Sequence, residues 1–382
     1  MRMIGVLRGL VVAAAVSLIA ATAAADIKSF NAAMKSKDYK ATASAAASAW
    51  PGLDKSRKDL AVIARELGFA AYLSGDFVGA KTYGEAASAA SRTAGEEPAL
   101  QIGSDLLWRL AEHRIKPNGD TRRALFTLLQ SRVAHPGIDL ITYLSADAVA
   151  AYDFDKGFWR DAVASAGLGD RLTVDRPGYQ DTNFRFALIG AAATYMAERD
   201  TDAYRNMGQL QRRILTAIGA APAGSDISQI EEVYYEAMAW TNTLSTHLHN
   251  LRKLRDKDEI EQEWAAYYKS PEYLAAASRI TPALPEGACV VSPMENTDLP
   301  DYPATAEYAG MVGTIILKLD VDEAGRAYNP RLVAAVPLKH FGDAALKGAN
   351  KIRYAKRDGS PPGCTLAQKD KILTIQFTMR RS

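Results

Sequence analysis

The pattern of apolar and polar positions divides the chain into a helical part and a part with alternating periodicity. From Asp26 to about Ser270, apolar residues recur every three or four positions, which is the spacing of amphipathic helices. Turn signals such as Pro117-Asn118-Gly119 separate these segments at intervals of about 12–20 residues. The pattern predicts about twelve helices joined by short loops over residues 26–270.

One predicted helix pair has a more specific pattern, with small residues where the two helices would cross and large residues between them. The first helix contributes Ala64, Leu67, Gly68 and Ala71, the turn is Gly75-Asp76-Phe77, and the second helix contributes Ala80, Tyr83 and Ala87. The stretch 60–94 resembles a tetratricopeptide repeat (TPR). We therefore predict a TPR-like α-solenoid, a stack of helical hairpins that bury their apolar faces against one another.

The periodicity changes to two after Gly313. Ile315, Leu317, Leu319 and Val321 occupy alternate positions, which predicts a β-strand with one strongly buried face. A turn at 322–325 leads to a return strand at 332–336, a helical stripe follows at 341–352, and a last strand covers 371–379. This order predicts a small α+β domain, an antiparallel three-stranded sheet with a helix packed on one face.

Prolines accumulate between the two parts, and six of the sixteen lie between positions 271 and 303. Such a density stops helices and stiffens the chain, as expected of a linker or of an extended entry to a domain. We therefore predict a helical domain at 26–270, a Pro-rich linker at 271–300 and a C-terminal domain at 301–382.

The first 25 residues have the pattern of an export signal. Arg2 and Arg8 supply positive charge, the run 9–25 is uncharged, and Ala23-Ala24-Ala25 precedes Asp26. This pattern predicts a cleaved signal peptide; the alternative is a retained membrane anchor, for which about 17 residues is a short span. The two arginines account for the whole formal charge of +2. The mature chain thus has no basic excess, and we expect no nucleic-acid partner.

Cys289 and Cys364 are the two cysteines of the chain. In an oxidising compartment we expect them to form a disulfide, and two buried thiols are the alternative. These cysteines and His340 are too few for a zinc site, and His247 and His249 fall on different faces of a predicted helix. We expect neither a metal nor another cofactor.

The C-terminal part also contains a set of residues that is spread over several predicted elements. It comprises Asp301-Tyr302-Pro303 with Ala306, Gly310 to Gly313, Val321-Asp322 with Gly325, Val336-Pro337, Phe341 with Ala344-Ala345-Leu346, and Arg353-Tyr354. Over about residues 290–382 this set resembles the C-terminal domain of the TonB family of energy transducers. Ile352 stands where the family usually has a tryptophan, and Ala355 where it usually has a proline.

The resemblance implies a function through protein contacts. Proteins of that family transmit inner-membrane energy to outer-membrane transporters of Gram-negative bacteria, and they bind an extended segment of the transporter as an added strand. An edge strand offers unpaired N–H and C=O groups that such a segment can satisfy without catalytic residues. We expect the last strand to be this edge, with the following partner-binding residues: Ile372, Thr374, Ile375, Gln376, Phe377 and Thr378.

The charge of the C-terminal part has two interpretations. Residues 330–382 contain eleven basic and three acidic side chains. This excess either forms part of an interaction surface, or Lys356, Arg357, Arg380 and Arg381 guard a sheet edge against aggregation. The sequence leaves both open.

Three hypotheses about the function follow from the sequence. The leading hypothesis is a non-enzymatic periplasmic adaptor whose partner is an envelope protein such as a TonB-dependent outer-membrane receptor. The alternative is an energy transducer anchored by a retained N-terminal segment. The third is an envelope hydrolase, but the sequence has no nucleophile elbow, no HExxH and no cluster of histidines and carboxylates at a useful spacing. We therefore expect a protein that is not an enzyme.

Overall fold

The computed structural model describes residues 38–136, 140–174, 180–250, 257–280, 284–294, 300–308, 310–337 and 339–378. The predicted signal peptide, residues 1–25, lies outside these ranges, as does Met379 at the end of the predicted last strand. The chain divides into two compact units, with the boundary between Gly190 and Ala191. None of the helices in these ranges combines the length and the hydropathy that crossing a membrane requires.

The first unit is helical throughout its described part. Its helices are α1 (Tyr39–Ala49), α2 (Leu60–Ser74), α3 (Phe77–Thr93), α4 (Pro98–Ile115), α5 (Gly119–Ala134), α6 (Leu140–Asp155), α7 (Trp159–Thr173) and α8 (Gln180–Met196), which crosses the boundary. Polar residues begin several of them. The Asp76 carboxylate accepts a hydrogen bond from the Gly79 N–H at 2.9 Å, and Asn118 and Thr121 form a capping box.

Glycines set the close approach of α2, α3 and α4. A Cβ atom at Gly84 would lie 2.8 Å from the Trp108 Cα atom, so the α3 and α4 backbones meet where a larger residue does not fit. Gly75 follows α2 with a φ of 86°, which lets the chain reverse into α3. The mainly helical N-terminal region predicted from the sequence is confirmed, and its likeness to a TPR stays a prediction.

The second unit combines helices with a small sheet. In chain order its elements are α9 (Asp200–Ala220), α10 (Ser228–Asn250), α11 (Lys257–Tyr267), α12 (Pro271–Ile280), β1 (Val291–Pro293), α13 (Ala304–Tyr308), β2 (Gly313–Val321), β3 (Ala327–Val336), α14 (Lys339–Ala349), β4 (Tyr354–Lys356) and β5 (Gln368–Phe377). β2 is the central strand of an antiparallel sheet with the order β3–β2–β5. On one face, Ile315 and Leu317 share a buried core with Phe341 and Ala345 of α14. The predicted three-stranded antiparallel sheet with a packed helix is confirmed.

The prediction that β2 has a single buried face is wrong, because α10 covers the second face. Ile316 is fully buried there. The Thr243 hydroxyl of α10 donates a hydrogen bond to the Thr314 hydroxyl at 2.9 Å, and Lys318 forms an ion pair with Glu231 at 3.2 Å. Thr243 and Thr314 are 71 residues apart in the sequence. The alternation of residues within β2 therefore does not indicate that a helix covers this face.

The interval 271–300, predicted as a Pro-rich linker, contains regular structure. α12 packs against α9, and β1 pairs with β4. Proline is compatible with both elements because Pro271 is the first residue of α12 and Pro293 is the last residue of β1. Pro271 and Pro293 therefore mark the ends of elements in this interval.

Candidate functional site

The six residues predicted to bind a partner lie on β5 or directly after it. β5 pairs antiparallel with β2 without interruption from Lys371, opposite Leu319, to Phe377, opposite Gly313. In the described part of the chain no strand pairs with β5 on its other side, since β5 is the last strand of the order β3–β2–β5. The outer N–H and C=O groups of β5 therefore form a sheet edge.

The side chains of β5 alternate between the core and the surface. Ile375 and Phe377 are buried, Ile372 is half-buried, and Thr374, Gln376 and Thr378 are exposed. The Phe377 ring lies 5.5 Å from the Tyr302 ring and 5.3 Å from the Phe341 ring, measured between centroids. The core thus fixes β5 through alternate residues, while the residues between them face solvent.

The residues of the TonB-like set build the support behind this edge. A Cβ atom at Gly313 would lie 2.9 Å from the Phe341 ring, so β2 and α14 pack closely at this point. Gly325 has a φ of 76° in the turn after β2, and its carbonyl accepts a hydrogen bond from the Tyr354 N–H at 2.7 Å. Burial raises the pKa of the Tyr354 hydroxyl to about 12.

Other members of the set shape loops and element ends. The Pro303 carbonyl accepts a hydrogen bond from the N–H of the buried Ala306 at 2.9 Å, and the Val336–Pro337 peptide bond is cis. Arg353 donates to the Asn350 carbonyl at 3.1 Å. None of these residues belongs to β5.

The residues that build the support behind β5 lie in a part of the chain that matches a known family. Residues 298–366 match the family model described as Gram-negative bacterial TonB protein C-terminal. The resemblance predicted from the sequence is therefore confirmed for this part of the chain. The TonB C-terminal match ends at Leu366, so it includes Tyr302 and Phe341 but stops just before β5. No curated protein and no solved structure matches the chain.

The match indicates a general role. The TonB C-terminal family comprises non-enzymatic interaction domains of Gram-negative envelope proteins, with partners such as outer-membrane receptors. For residues 298–366, the match suggests a TonB-like role in protein interaction and transport.

The predicted disulfide between Cys289 and Cys364 is present, with Cα atoms 5.0 Å apart. Cys289 lies before the TonB C-terminal match and Cys364 lies inside it. The disulfide therefore joins the matched residues to a segment that precedes them.

A polar cluster that was not predicted from the sequence connects β2, β3 and β5 by hydrogen bonds near the start of β5. Its centre is the Asp320 carboxylate on β2, and this residue is 7 % exposed. Arg331 and Asn329 of β3 each donate to it at 3.0 Å, and the Asp370 N–H of β5 donates at 3.1 Å. The hydrogen bond from Arg331 lowers the pKa of Asp320 to about 2. The signal in the sequence is an acidic residue on the predicted strand β2 and an arginine just before the predicted return strand. Their pairing depends on a register shift between Lys318 and Asp320.

Asp320→Asn is expected to lower the free energy of unfolding of the second unit by about 2 kcal/mol, since the side chain loses its charge and one of its two buried acceptor oxygens becomes a donor. Because the pKa of Asp320 in the folded protein lies below the 3.8 of an ordinary aspartate in the unfolded chain, its contribution is present above about pH 4 and is lost as the pH falls towards 2. Urea unfolding at pH 7 and pH 3 measures both effects. The exposed Asp358→Asn is the control, and equal stability of the two variants would contradict the prediction.

Two other features do not form a comparable site. An open groove of about 450 Å³ in the first unit is lined partly by Arg92, Arg109 and Arg123. Each arginine has a carboxylate nearby, at 2.8 Å for Asp105, 2.7 Å for Glu112 and 3.7 Å for Asp120. Within the described ranges, no group of three or more His, Cys, Asp and Glu side chains could hold a metal ion.

Proposed function

We propose that this protein is a non-enzymatic periplasmic adaptor that holds an extended segment of a partner protein as an added strand on β5. The observation that carries the proposal is the edge of β5, which is free of proline and pairs regularly with β2 from Lys371 to Phe377. The partner is a cell-envelope protein, and a TonB-dependent outer-membrane receptor fits the family match. Residues 1–25 act as a cleaved signal peptide, and the TPR-like helical part docks a second protein.

The opposite edge of the sheet supports the choice of β5. β3 contains Pro330, which has no N–H to donate, and Asn329 has a φ of 50°. The pairing of β3 with β2 shifts register twice, after Ile316 and after Lys318. Bulges and proline are features that prevent strand addition at an edge. An incoming strand therefore finds a regular ladder on β5 and an interrupted one on β3.

The side chains of β5 fit the same interpretation. Backbone hydrogen bonds supply the affinity in strand addition, and side chains on alternating positions supply the specificity. An incoming strand would meet the exposed Thr374 and Gln376 on one face and the half-buried Leu373 on the other. No catalytic group is required for this mode of binding.

A second candidate is the membrane-anchored energy transducer, which the TonB C-terminal match favours. It requires that the N-terminal segment is retained in the membrane. Carbonate extraction of cell membranes separates the two functions. The adaptor is released with the soluble fraction, whereas the transducer stays in the carbonate-resistant membrane fraction.

Proline substitutions at Ile375 and Gln376 test the edge. Consecutive N–H groups of a strand point to opposite sides, so one substitution removes a donor to β2 and the other removes a donor at the outer edge. We expect one variant to have a clearly lower Tm and the other to keep its Tm but to lose partner capture. Circular dichroism melts, together with capture from an envelope extract by the full mature chain, measure the two effects.

Gln376→Ala is the matched control, because it keeps the backbone N–H and truncates an exposed side chain. This variant should keep most of the parental capture, because backbone hydrogen bonds supply the affinity in strand addition. Capture at the parental level by the proline variant that keeps its Tm would contradict strand addition on β5.

A further inference from the structure

Residues 287–294, which we call the clasp segment, contain β1 and run alongside β4 and the residues that connect β4 to β5 in the sequence. The Gly287 carbonyl accepts from the Thr365 N–H at 2.9 Å, and the Cys289 N–H donates to the Thr365 carbonyl at 2.8 Å. The Val290 carbonyl accepts from the Arg357 N–H at 2.8 Å. β1, which lies within the clasp segment, pairs with β4. The clasp segment lies before the TonB C-terminal match, so it is an addition to the matched residues.

The clasp segment is connected to the beginning of β5. The Gln368 side chain is buried, and its Nε2 donates to the Cys289 carbonyl at 2.5 Å. Gln368 is the first residue of β5, and the pairing of β5 with β2 is irregular between Leu319 and Val321. Asp370 has a φ of 54° within this irregular stretch. The regular ladder therefore begins at Lys371, and the clasp segment helps to hold the residues before it.

The two cysteine residues of the disulfide differ in exposure. Cys289 is 1 % exposed, whereas Cys364 is half-buried and follows the exposed residues Pro361, Pro362 and Gly363. Thiol–disulfide exchange requires that a thiolate reaches one sulfur of the bond. We therefore expect an external thiolate to attack the sulfur of Cys364, the more exposed residue, and Cys289 to be the leaving group.

We propose that the Cys289–Cys364 disulfide is a redox-sensitive clasp, whose reduction by a dithiol of the cell envelope releases the clasp segment and loosens the start of β5. The inference rests on the function proposed above, because it makes the disulfide a regulator of partner binding at that edge. In the oxidised protein the covalent bond and the hydrogen bond from Gln368 hold the clasp segment next to the start of β5. In the reduced protein the residues at the start of β5 lose a support, so a partner strand has fewer held residues to pair with.

Reduction of the disulfide proceeds by two successive thiol–disulfide exchanges. A thiolate of the dithiol attacks the Cys364 sulfur, the S–S bond breaks, and Cys289 leaves as a thiolate that takes up a proton. The second thiol of the reductant then attacks the mixed disulfide and displaces Cys364, which is protonated in turn. The protein gains two thiols, and the dithiol becomes a cyclic disulfide.

Hydrogen exchange of the full mature chain, measured by mass spectrometry with and without dithiothreitol, tests the clasp. Thiol titration first verifies that two thiols have appeared. We expect amides at 287–294 and 365–370 to exchange about tenfold faster or more after reduction, and those at 372–377 and in α2 to keep their rates. Cys289→Ser combined with Cys364→Ser should reproduce the pattern without a reductant. Unchanged exchange after complete reduction, or equal acceleration throughout β2, β3 and β5, would overturn the proposal.

Gln368→Leu separates the connection from the disulfide. This variant keeps the covalent bond but removes the donor to the Cys289 carbonyl, so exchange should rise at 369–371 and stay unchanged at 287–294. The neighbouring Lys369→Gln, at an exposed position, is the control. If the amides at 369–371 exchange at the same rate in Gln368→Leu and in the control, the claim that the clasp segment holds the start of β5 is contradicted. All these measurements need no partner, so their failure leaves strand addition to be judged separately by the proline variants.

Discussion

Residues 286–382 produced alone are expected to fold far less stably than residues 191–382. The shorter fragment contains the whole TonB-like part but lacks α10, which covers the second face of the sheet. Ile316, Ala334 and Val336 are each no more than 5 % exposed in the whole protein. Ala334 pairs with Ile316 and Val336 pairs with Thr314, so these side chains share the face that α10 covers.

The expected size of this effect follows from the apolar side chains that become exposed. Burial of an isoleucine, a valine and an alanine at about 25 cal/mol per Å² contributes roughly 4 kcal/mol. The hydrogen bond between Thr243 and Thr314 and the ion pair between Lys318 and Glu231 are lost as well. For a domain below 100 residues, about 4 kcal/mol corresponds to a Tm lower by about 15 °C or more, or to no cooperative folding.

Circular dichroism melts of the two fragments measure the difference. A cooperative melt of residues 286–382 within a few degrees of that of residues 191–382 would contradict the role of α10. Within the longer fragment, Ile316→Asp should reproduce much of the loss because it buries a charge beneath α10. The control is Thr374→Asp, since Thr374 is the direct partner of Ile316 on β5 but is exposed. This variant should melt close to the parent fragment.

The second large effect is expected for Gly84→Ala in α3. The new Cβ atom would lie 2.8 Å from both the Cα and the N atom of Trp108 on α4, so α3 and α4 would have to move apart. Backbone atoms cannot rotate away as a side chain can. We expect a loss of about 2–3 kcal/mol in the free energy of unfolding of the first unit. Urea unfolding of the full chain, followed by circular dichroism, measures the loss.

Gly167→Ala provides a matched control with the opposite sign. Gly167 also lies inside a helix, α7, but nothing stands within 4 Å of the position of its added Cβ atom. Alanine is favoured over glycine in a helix interior by up to about 1 kcal/mol. We therefore expect a gain in stability at Gly167. A loss of similar size at both positions would mean that the approach of α3 to α4 does not limit the residue at 84.

The periodicity of apolar residues along the chain predicted several helices and strands. The alternation of Ile315, Leu317, Leu319 and Val321 predicted β2, and the stripe from Leu60 to Ala71 predicted α2. Both patterns repeat within a few residues, so a short window is enough to recognise them. The TonB-like residue set could also be recognised in advance, because its glycines and aromatic residues have specific packing roles at Gly313, Gly325 and Phe341.

Interactions between distant parts of the chain could not be predicted in the same way. The proline content of the interval 271–300 predicts a linker, because composition alone does not show that Pro271 begins a helix. The Asp320 cluster depends on register shifts on both sides of β2, which bring Arg331 and Asp370 to one carboxylate. The link from Gln368 to Cys289 spans 79 residues. None of these contacts follows from a local pattern.

The sequence by itself determined a mainly helical region, a small antiparallel sheet with one helix, a TonB-like residue set and a pair of cysteines. These features are encoded by spacing along the chain, because helices and strands bury one side at a fixed period. Only the tertiary structure decided that β5 has a regular outer edge while that of β3 is interrupted, that α10 covers the second face of the sheet, and that residues 287–294 support the start of β5. Those outcomes depend on which distant segments pack together, and the packing of distant segments is set by the whole fold.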